Sequence, residues 1–312
     1  MNKLQSFTVG ILLFCVPAFS EVKQAVEIGE VQWGRDLEGA LRQSTRSGKP
    51  VLALFQEVPG CAGCQKFGKN VLSHDLLVEA IETEFIPILV YNNQAEDKHL
   101  LKRFGEPAWN YQVIRFLDGK GRDIIPRKDK VWSIGGVARR MGEALKQAGR
   151  PTPGYLSGLA LAHDNPHLAT TEFSMFCFWT GEMHIGAVDG VIRTEAGFNN
   201  GKEVTRVWYD RSKVSLPDLA KTASTAKCAN TVLTGDAAER KTLSELRFKT
   251  EVPRAYRKAP VSDQKKQLSG TAFGRLDLTP WQRTKVNAFA RRDRQKALSY
   301  LSPRQIEQLK KP

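Results

Sequence analysis

The chain has 312 residues, of which 26% are charged and 41% hydrophobic, and its formal net charge at pH 7 is +14. This length exceeds what one hydrophobic core usually organises, so we expect two domains of about 140–150 residues each. The charge alone would suit binding to nucleic acid or to an anionic membrane. Basic and acidic residues are interleaved through most of the chain, however, and no nucleic-acid-binding motif is recognisable, so we expect no nucleic-acid partner.

The first twenty residues have the features of a secretory signal peptide. Lys3 supplies a positive charge, residues 9–19 are almost wholly apolar, and Ala18 and Ser20 place small side chains at the expected cleavage site. The apolar run is shorter than the about 20 residues needed to span a bilayer. We therefore predict a periplasmic or secreted protein that loses Cys15 with its leader. Contact with a membrane is expected only if the leader stays uncleaved.

From residue 21 to residue 150 the sequence alternates predicted helices with short apolar strands, as expected for a first domain. The run at 51–55 is wholly apolar, which is typical of a central strand buried on both faces. Asp36 stands where it can cap the first helix, and Asp118-Gly119 predicts the turn of a hairpin. Trp33 and Trp132 are interpreted as packing residues. We predict helices at 36–46, 75–84, 96–104 and 134–148, and strands at 51–55, 86–91, 113–117 and 123–125.

Cys61 and Cys64 follow the first buried strand, where a helix is predicted to begin. A helix N-terminus presents free backbone N–H groups and a partial positive charge, and both stabilise a thiolate. A bridge across two residues closes a very small loop and restrains the unfolded chain little, so exchange is the more typical use. A zinc site would need two further ligands, and the other Cys and His residues show no second pair close in sequence. The context therefore predicts a redox-active pair and no metal site.

Residues 49–64, KPVLALFQEVPGCAGC, resemble the thioredoxin-like family whose signature is Val-Pro-Gly followed by a redox-active selenocysteine or cysteine. The resemblance covers roughly residues 33–148. It implies a thioredoxin-like fold in which Cys61 occupies the redox position and Cys64 is its resolving partner.

The residues before the strand at 113–117 depart from the thioredoxin pattern. Thioredoxins place a cis-proline directly before their third buried strand, facing the active disulfide. This chain has Asn110, Tyr111 and Gln112 at that point, and Pro107 lies further upstream. The usual substrate-docking proline is therefore not identified by the sequence.

A linker is predicted over residues 151–168, where Pro and Gly residues and a polar loop interrupt the pattern. The remainder, residues 169–312, is expected to form a second domain. Helical stretches lie at 237–248 and 280–297, and the mostly polar segment 252–270 is expected to be irregular.

Cys177 lies among aromatic residues, in the sequence Phe176-Cys177-Phe178-Trp179. In isolation this setting is typical of a buried structural thiol. The longer context, residues 169–220, resembles peptide methionine sulfoxide reductase of the A type. That resemblance implies a ferredoxin-like fold for the second domain. The fold class expected for the whole chain is therefore α/β plus α+β, a thioredoxin-like fold followed by a ferredoxin-like one.

Several short matches, in the same order as in the reductase family, carry this resemblance. Cys177-Phe178-Trp179 with Glu182 corresponds to the nucleophile motif, and Glu203 opens the strand that begins with the family's acid. The matching segments are residues 177–182, 189–197, 203–210 and 216–219, with a weaker match at 262–273 that contains Asp263 and Gln267.

The reaction that this resemblance implies is reduction of methionine-S-sulfoxide. The sulfoxide sulfur is electrophilic once its oxygen is protonated or strongly hydrogen-bonded, so the site needs a thiolate and a carboxylic acid. The resemblance implies Cys177 as the nucleophile and Glu203 as the acid. It also implies substrate binding by Asp263 and by Phe178 and Trp179, whose rings would form an apolar slot for the methionine methyl group.

Attack by Cys177 would leave a sulfenic acid, which condenses with a second thiol. Cys228 is the candidate for this resolving step within the same domain. The Cys61–Cys64 dithiol could serve instead, or could reduce a Cys177–Cys228 bridge by exchange.

Two tyrosines that bind the substrate oxygen in the reductase family are missing. The loop that should carry one of them is absent, since only Lys202 separates Gly201 from Glu203, and Leu268 stands at the position of the other. Loss of one oriented hydrogen-bond donor can cost ~10²–10³ in rate. The second domain therefore has the nucleophile and the acid but lacks part of the oxygen-binding site.

The leading hypothesis is an exported methionine-S-sulfoxide reductase fused to its own thioredoxin-like electron donor. Its partners would be oxidised proteins or peptides and an external thiol reductant, and it would need no cofactor. The alternative is a thiol–disulfide oxidoreductase whose second domain is catalytically degenerate. A third hypothesis makes the second domain a non-enzymatic docking module for oxidised proteins.

Overall fold

The structure, a computed structural model, describes residues 24–108 and 112–310. The predicted leader at residues 1–20 lies outside the described residues, as do Asn110 and Tyr111. Within the described ranges, no helix is both long enough and apolar enough to cross a bilayer.

The first half of the chain forms a three-stranded sheet covered by helices. The central strand pairs in parallel with one neighbour and antiparallel with the other, in the order β2-β1-β3. The predicted helices and the first three strands are confirmed to within a few residues, and the side chain of Asp36 caps the first helix by accepting a hydrogen bond from Gly39 N–H. The elements are α1 Leu37–Ser47, β1 Val51–Gln56, α2 Ala62–Asn70, α3 Asp75–Glu84, β2 Ile86–Tyr91, α4 Lys98–Phe104, β3 Val113–Leu117 and α5 Ile134–Gln147.

The predicted strand at 123–125 is wrong, since a single bridge between Leu117 and Asp123 forms there. Asp118 turns the chain tightly by accepting hydrogen bonds from two backbone N–H groups, those of Lys120 and Arg122. Pro126 then follows, and proline has no N–H to donate to a longer ladder. The hairpin is therefore limited to the turn and this single bridge.

The three-stranded sheet has a hydrophobic core on each face. Side chains alternate along β1, so Leu52 and Leu54 belong to one core while Val51, Ala53 and Phe55 belong to the other. Helices α3 and α5 cover the first face, and α1 and α4 cover the second. All six residues of β1 are buried as a result. The strand is thus a fixed base for the loop that leads into α2.

The range predicted as a linker contains a helix, α6 Gly154–Ala162. Tyr155, Leu156 and Leu159 on this helix are buried in the core formed with α3 and α5. The hydroxyl group of Tyr155 lies 3.2 Å from Oγ1 of Thr83 in α3. The apolar face of α6 therefore extends the first core beyond residue 150.

The second half contains a six-stranded mixed sheet with the order β8-β7-β4-β6-β5-β9. Only β7 and β8 pair in parallel; the other neighbours are antiparallel. The elements are β4 Leu168–Met175, α7 Phe178–Gly186, β5 Val191–Asn199, β6 Lys202–Asp210, α8 Leu216–Thr225, β7 Ala229–Leu233, α9 Ala237–Glu245, β8 Lys249–Glu251, β9 Arg257–Lys258, α10 Pro280–Phe289, α11 Arg294–Leu298 and α12 Pro303–Gln308.

Two predictions for the second half need correction. The segment 252–270 contains the edge strand β9 and two 3₁₀ helices, so it is more ordered than its polar composition suggested. The helix predicted at 280–297 is divided into α10 and α11. Asp293 causes the new start, because its side chain accepts a hydrogen bond from the backbone N–H of Lys296 and caps α11.

The C-terminal helices return to the first half of the chain. Arg304 in α12 donates its backbone N–H to Oε1 of Glu79 at 2.7 Å, and its guanidinium group pairs with Oε2 of Glu82 at 2.9 Å. Both glutamates lie on α3. One hydrogen bond and one ion pair therefore join α12 to α3, between residues 225 and 222 positions apart in the sequence.

A pair of histidines, between the start of α3 and the end of α6, should make the fold less stable in acid. His74, the N-cap of α3, and His163, the C-cap of α6, have ring centroids 5.6 Å apart. Burial lowers the pKa of both, and His163 lowers that of His74 further, while Asp75 and Asp164 oppose the shift. A lowered folded-state pKa means that the unfolded chain binds the proton first. Stability is therefore complete above about pH 6.5 and falls as the pH drops through the lowered values.

We expect His74→Gln to reduce the loss of unfolding free energy between pH 7.5 and pH 5, measured by urea denaturation. The variant has one imidazole instead of two, so the repulsion between two protonated rings is lost. Unfolding of the variant also takes up one proton fewer. The exposed His99 supplies the matched control, His99→Gln, which should leave the pH dependence unchanged. An unchanged slope in His74→Gln would contradict the assignment.

Candidate active sites

Cys61 and Cys64 lie at the N-terminus of α2, as the sequence predicted. Cys61 is the N-cap residue and is partly exposed, whereas Cys64 lies in the first turn and is fully buried. Both are free thiols, and their Sγ atoms are 3.5 Å apart. Oε1 of Gln112 lies 3.7 Å from the Cys64 sulfur, which places Gln112 opposite the pair, directly before β3. The geometry allows the two sulfurs to form a disulfide with a small movement.

The two thiols differ in acidity. The backbone N–H of Cys64 lowers the pKa of the Cys61 thiol; burial opposes this, and the Cys64 side chain and the Gly63 N–H add to it. Burial, together with the Cys61 side chain and the nearby carboxylate of Glu57, raises the pKa of Cys64 to about 11. Because the thiolate is the nucleophilic form of cysteine, Cys61 has the properties of an attacking thiol, and the raised pKa of Cys64 favours its protonated form.

The loop between β1 and α2 is fixed by side chains from other segments. Asn93 accepts a hydrogen bond from Val58 N–H at 3.2 Å and donates one to the carbonyl of Pro59 at 3.1 Å. Glu27, which is buried, accepts one from Gly60 N–H at 2.9 Å. The peptide bond between Val58 and Pro59 is cis. Sequence reasoning missed Asn93 and Glu27, because neither lies near the motif in the chain.

A groove of about 500 Å³ opens beside Cys61. Trp132 lines it and is 49% exposed, so the interpretation of Trp132 as a packing residue is wrong. Trp132 lies in the segment directly before α5 and lines the groove, so its ring contributes to an open surface and not to a core. The other lining residues include Lys66, Phe67, Gln112 and Lys130.

A thioredoxin-like family model matches residues 32–118, which contain β1, the cysteine pair, β2 and β3. Residues 32–118 form a thioredoxin-like domain. The remainder of the chain is a mixed α/β region with the six-stranded sheet. No curated protein matches the chain in sequence.

Several solved structures are similar to parts of the chain. A DsbH oxidoreductase is 17% identical, covering 41% of this chain and 94% of its own, with a TM-score of 0.33. A thioredoxin from Thermus thermophilus is 18% identical, covering 38% and 90%, with a TM-score of 0.32. Mxr1 from Saccharomyces cerevisiae, in reduced form, is 14% identical, covering 38% and 92%, with a TM-score of 0.30.

Outside the thioredoxin-like domain, the structure places Cys177 and Glu203 at one helix terminus. Cys177 is the partly exposed N-cap residue of α7. Glu203 lies at the start of β6, and its Oε2 accepts a hydrogen bond from the backbone N–H of Phe178 at 2.9 Å. The β5–β6 hairpin aligns Phe198 with Glu203 and so fixes the carboxylate beside the first turn of α7. Two residues that are 26 positions apart in the sequence thus share one site.

Aromatic side chains surround this terminus, but they differ in exposure. Phe178 is buried and packs edge-on against Phe198, with ring centroids 5.7 Å apart, so its ring belongs to the core rather than to an open slot. Trp179 is partly exposed, and its Nε1 donates a hydrogen bond to the backbone carbonyl of Asp263 at 3.0 Å. Phe176 is 99% exposed. The predicted residues Trp179 and Asp263 are therefore in contact, through the main chain of Asp263.

Glu182 has a structural setting that the sequence did not reveal. Its side chain is fully buried, and it forms an ion pair with Lys265, whose backbone N–H also donates to Oε2 of Glu182 at 2.7 Å. The ammonium group of Lys265 donates further to the carbonyl oxygen of Thr194 at 2.6 Å. This pair joins α7 to β5 and to the segment after Asp263, which carries the weaker match to the reductase family.

The opposite end of α7 is held by Lys285 of α10, a residue that the sequence analysis did not single out. Its ammonium group is buried and donates to the carbonyl oxygens of Gly186 at 3.0 Å and Val188 at 2.6 Å. Burial lowers its pKa to about 8. A cation at this position compensates the negative end of the helix dipole. Helix α7 thus has a thiol at its positive end and a lysine at its negative end.

Cys228 is buried directly before β7, and its Sγ lies 3.3 Å from the carbonyl oxygen of Ala223. Burial raises the pKa of this thiol. In the sheet, Ala229 pairs with Met175, the last residue of β4, and Cys177 follows two residues later. Cys177 and Cys228 therefore leave neighbouring strands at the same end of the sheet. The resolving role of Cys228 stays a prediction.

Proposed function

We propose that this protein is an exported thiol oxidoreductase whose Cys61–Cys64 pair reduces disulfides in partner proteins. The observation that carries this proposal is the 3.5 Å separation of the two sulfurs at the N-terminus of α2, within a thioredoxin-like domain. The exposed, more acidic thiol and the buried, less acidic one have the properties of an attacking and a resolving cysteine.

The exchange proceeds in two steps. The Cys61 thiolate attacks one sulfur of the substrate disulfide, which forms a mixed disulfide and releases the other substrate sulfur as a thiolate. Cys64 then loses its proton and attacks the Cys61 sulfur. This closes the Cys61–Cys64 disulfide and releases the second substrate thiol. Two electrons have passed to the substrate, and an external thiol reductant restores the dithiol.

The groove beside Cys61 supports binding of an extended substrate segment. Trp132 and Phe67 offer apolar contact, and Lys66 and Lys130 add two positive charges. Gln112 stands directly before β3, where its side-chain amide can donate to or accept from a substrate backbone. These residues take the place of the docking proline that the sequence lacks at this point.

The test of this activity is the reduction of insulin by dithiothreitol in the presence of the full chain. The rate is measured from the precipitation of the insulin B chain. We expect a clear acceleration over dithiothreitol alone, because the acidic Cys61 thiol exchanges faster than an unactivated one. A rate equal to the uncatalysed control would reject the oxidoreductase proposal.

A second activity, reduction of methionine-S-sulfoxide at Cys177, is favoured by the hydrogen bond between Glu203 and the N-terminus of α7. In this reaction Cys177 attacks the sulfoxide sulfur while Glu203 delivers a proton to its oxygen. The products are methionine and a Cys177 sulfenic acid, which then condenses with a second thiol to release water and leave a disulfide. Sulfur of the substrate is reduced by two electrons and Cys177 is oxidised by two.

The order of elements around Cys177 supports an A-type reductase ancestry with a ferredoxin-like fold. Elements β4, α7, β5, β6, α8 and β7 follow the order strand, helix, strand, strand, helix, strand. Their strands lie in the order β7-β4-β6-β5, which is the arrangement of a split βαβ unit. The edge strands β8 and β9 extend this core. The thiol and the acid fall at the first helix and the third strand of the unit.

The electrons for this second activity would come from the Cys61–Cys64 pair, either directly or through a Cys177–Cys228 bridge. Because donor and acceptor belong to one chain, their encounter would be intramolecular and would not depend on protein concentration. Oxidised proteins or peptides would be the substrates.

The sulfoxide activity is tested with a peptide that contains methionine-S-sulfoxide and dithiothreitol as reductant. We expect slow turnover to the methionine peptide, since the two oxygen-binding tyrosines of the family are missing. Saturable binding without turnover would favour the docking module instead. If the peptide is neither bound nor reduced, both hypotheses for the second half are rejected. The proposed disulfide exchange at Cys61 and Cys64 is not affected by that result.

A further inference from the structure

A carboxylate completes the cysteine pair as a set of metal ligands. A side-chain oxygen of Glu57 and the sulfurs of Cys61 and Cys64 all lie within 4.8 Å of one another. In the sequence, too few Cys and His residues lie at suitable spacing to complete a zinc site, and a glutamate four residues before Cys61 gives no signal of its own. Glu57 stands at the beginning of the loop after β1, on the far side of Pro59 from the cysteines.

The distances suit a tetrahedral zinc ion. Zn–S bonds of about 2.3 Å and Zn–O bonds of about 2.1 Å place two sulfurs about 3.8 Å apart and a sulfur and an oxygen about 3.6 Å apart. The Cys61 and Cys64 sulfurs are 3.5 Å apart, and Oε1 of Gln112 is 3.7 Å from the Cys64 sulfur. The separation of the two sulfurs is thus close to the required one, and the Gln112 oxygen lies at a distance that suits a fourth ligand. The Glu57 oxygen lies within 4.8 Å of both sulfurs and has to approach each of them by about 1.2 Å at most.

The loop that carries Glu57 is preorganised. Its backbone is fixed on both sides of Pro59 by Asn93, and at Gly60 by the buried Glu27. The main chain next to Glu57 therefore does not have to be ordered when a metal ion binds, and only the side chain changes rotamer. Such preorganisation lowers the entropic cost of binding.

The ligand types select zinc among common divalent and monovalent ions. Two thiolates exclude Mg²⁺ and Ca²⁺, which prefer oxygen ligands alone, and the carboxylate is a poor partner for Cu⁺. Zn²⁺ accepts sulfur and oxygen in one site. Cys64 is buried while Cys61 is partly exposed, so the fourth position faces the groove and can hold water or the Gln112 carbonyl.

We propose that the reduced protein binds one Zn²⁺ through Cys61, Cys64 and Glu57. Binding involves no change of oxidation state: Zn–S bonds form at both sulfurs, and the protons of the two thiols are released to solvent. Coordination to zinc withdraws charge from both sulfurs and holds them apart, so they react more slowly with each other and with a substrate. The ion therefore caps the dithiol reversibly and protects it from oxidation. This inference concerns the same cysteines as the proposed exchange, but it does not depend on that activity.

The test is a zinc titration of the reduced full chain against a competing chromophoric chelator. We expect one tightly bound zinc per chain, lost in Cys64→Ser and weakened at least ~10-fold in Glu57→Gln, since even outer-shell changes cost that much. The exposed Glu30 provides the matched control, and Glu30→Gln should bind zinc as the wild type does. The affinity should rise with pH, because binding displaces protons.

A second readout separates this proposal from the proposed exchange. Zinc should slow alkylation of Cys61 by iodoacetamide, and a chelator should restore the rate, whereas insulin reduction in the presence of chelator reports exchange alone. Absence of stoichiometric zinc, or an affinity equal in wild type and Glu57→Gln, would overturn the metal site even if insulin is reduced normally. Zinc binding in a protein that fails to reduce insulin would leave the site standing and reject the exchange.

Discussion

Cys61→Ser should reduce the rate of insulin reduction at least ~10³-fold, because it removes the nucleophile of the exchange and leaves only the buried thiol of the pair. The hydroxyl group of serine does not ionise near neutral pH, and Cys64 is fully buried and has its pKa raised to about 11. The remaining thiol therefore neither reaches a substrate disulfide nor carries enough thiolate. The rate is measured with the full chain and dithiothreitol.

Cys64→Ser should give a different result from the same assay. Cys61 can still attack, but only dithiothreitol can then resolve the mixed disulfide, so turnover falls; once dithiothreitol is left out, the reaction stops with the substrate bound covalently. Mass spectrometry under non-reducing conditions should find this adduct in Cys64→Ser and not in Cys61→Ser. The matched control is Cys177→Ser, which removes a partly exposed thiol from the other half of the chain. Equal insulin activity in wild type and Cys61→Ser would show that the attacking thiol is misassigned.

For the second centre, Cys177→Ser should abolish reduction of a methionine-S-sulfoxide peptide, and Glu203→Gln should reduce it by ~10²–10⁴-fold. Glutamine keeps the size of Glu203, and its carbonyl oxygen can still accept the hydrogen bond from Phe178 N–H. It cannot deliver a proton to the sulfoxide oxygen. The variant thus separates the acid from the helix contact, and Glu245→Gln, on the exposed side of α9, is the control.

The electron route is read from Cys228→Ser in the same peptide assay, with limiting dithiothreitol. Turnover that survives Cys228→Ser but is lost when Cys61→Ser is added would mean that the Cys61–Cys64 pair reduces Cys177 directly, because dithiothreitol alone then does not replace the pair. Turnover lost in Cys228→Ser alone would mean that a Cys177–Cys228 bridge is an obligatory intermediate. Turnover that survives Cys177→Ser would refute the sulfoxide assignment altogether.

The sequence predicted those parts of the structure that depend on local pattern. The apolar run at 51–55, the cap at Asp36 and the position of Cys61 at a helix start are all properties of a few consecutive residues, and the structure confirms them. The shared position of Cys177 and Glu203 was accessible only through the family resemblance, because a strand register brings the two together.

Contacts between distant charged residues could not be predicted in this way. Lys265 and Lys285 look like ordinary surface lysines in the sequence, yet one pairs with Glu182 and the other binds two carbonyl groups, each in the interior. Glu57 is similar: its closeness to the cysteines follows from the path of a loop that Asn93 holds from another segment. Buried charges are rare enough that composition gives no reason to expect them at any one position.

Helix α6 determines where the first structural unit of the chain ends. The family match ends at residue 118, and the Pro and Gly residues near position 150 predict a domain boundary there. The structure differs, because the apolar side chains of Tyr155, Leu156 and Leu159 pack against α3 and α5. A fragment that ends at residue 150 would lack α6 and would leave the apolar face of α3 and α5 exposed to solvent. The range matched by the family model and the hydrophobic core that contains it therefore have different boundaries, and a fragment of the first half keeps this part of its core only if it extends to residue 162.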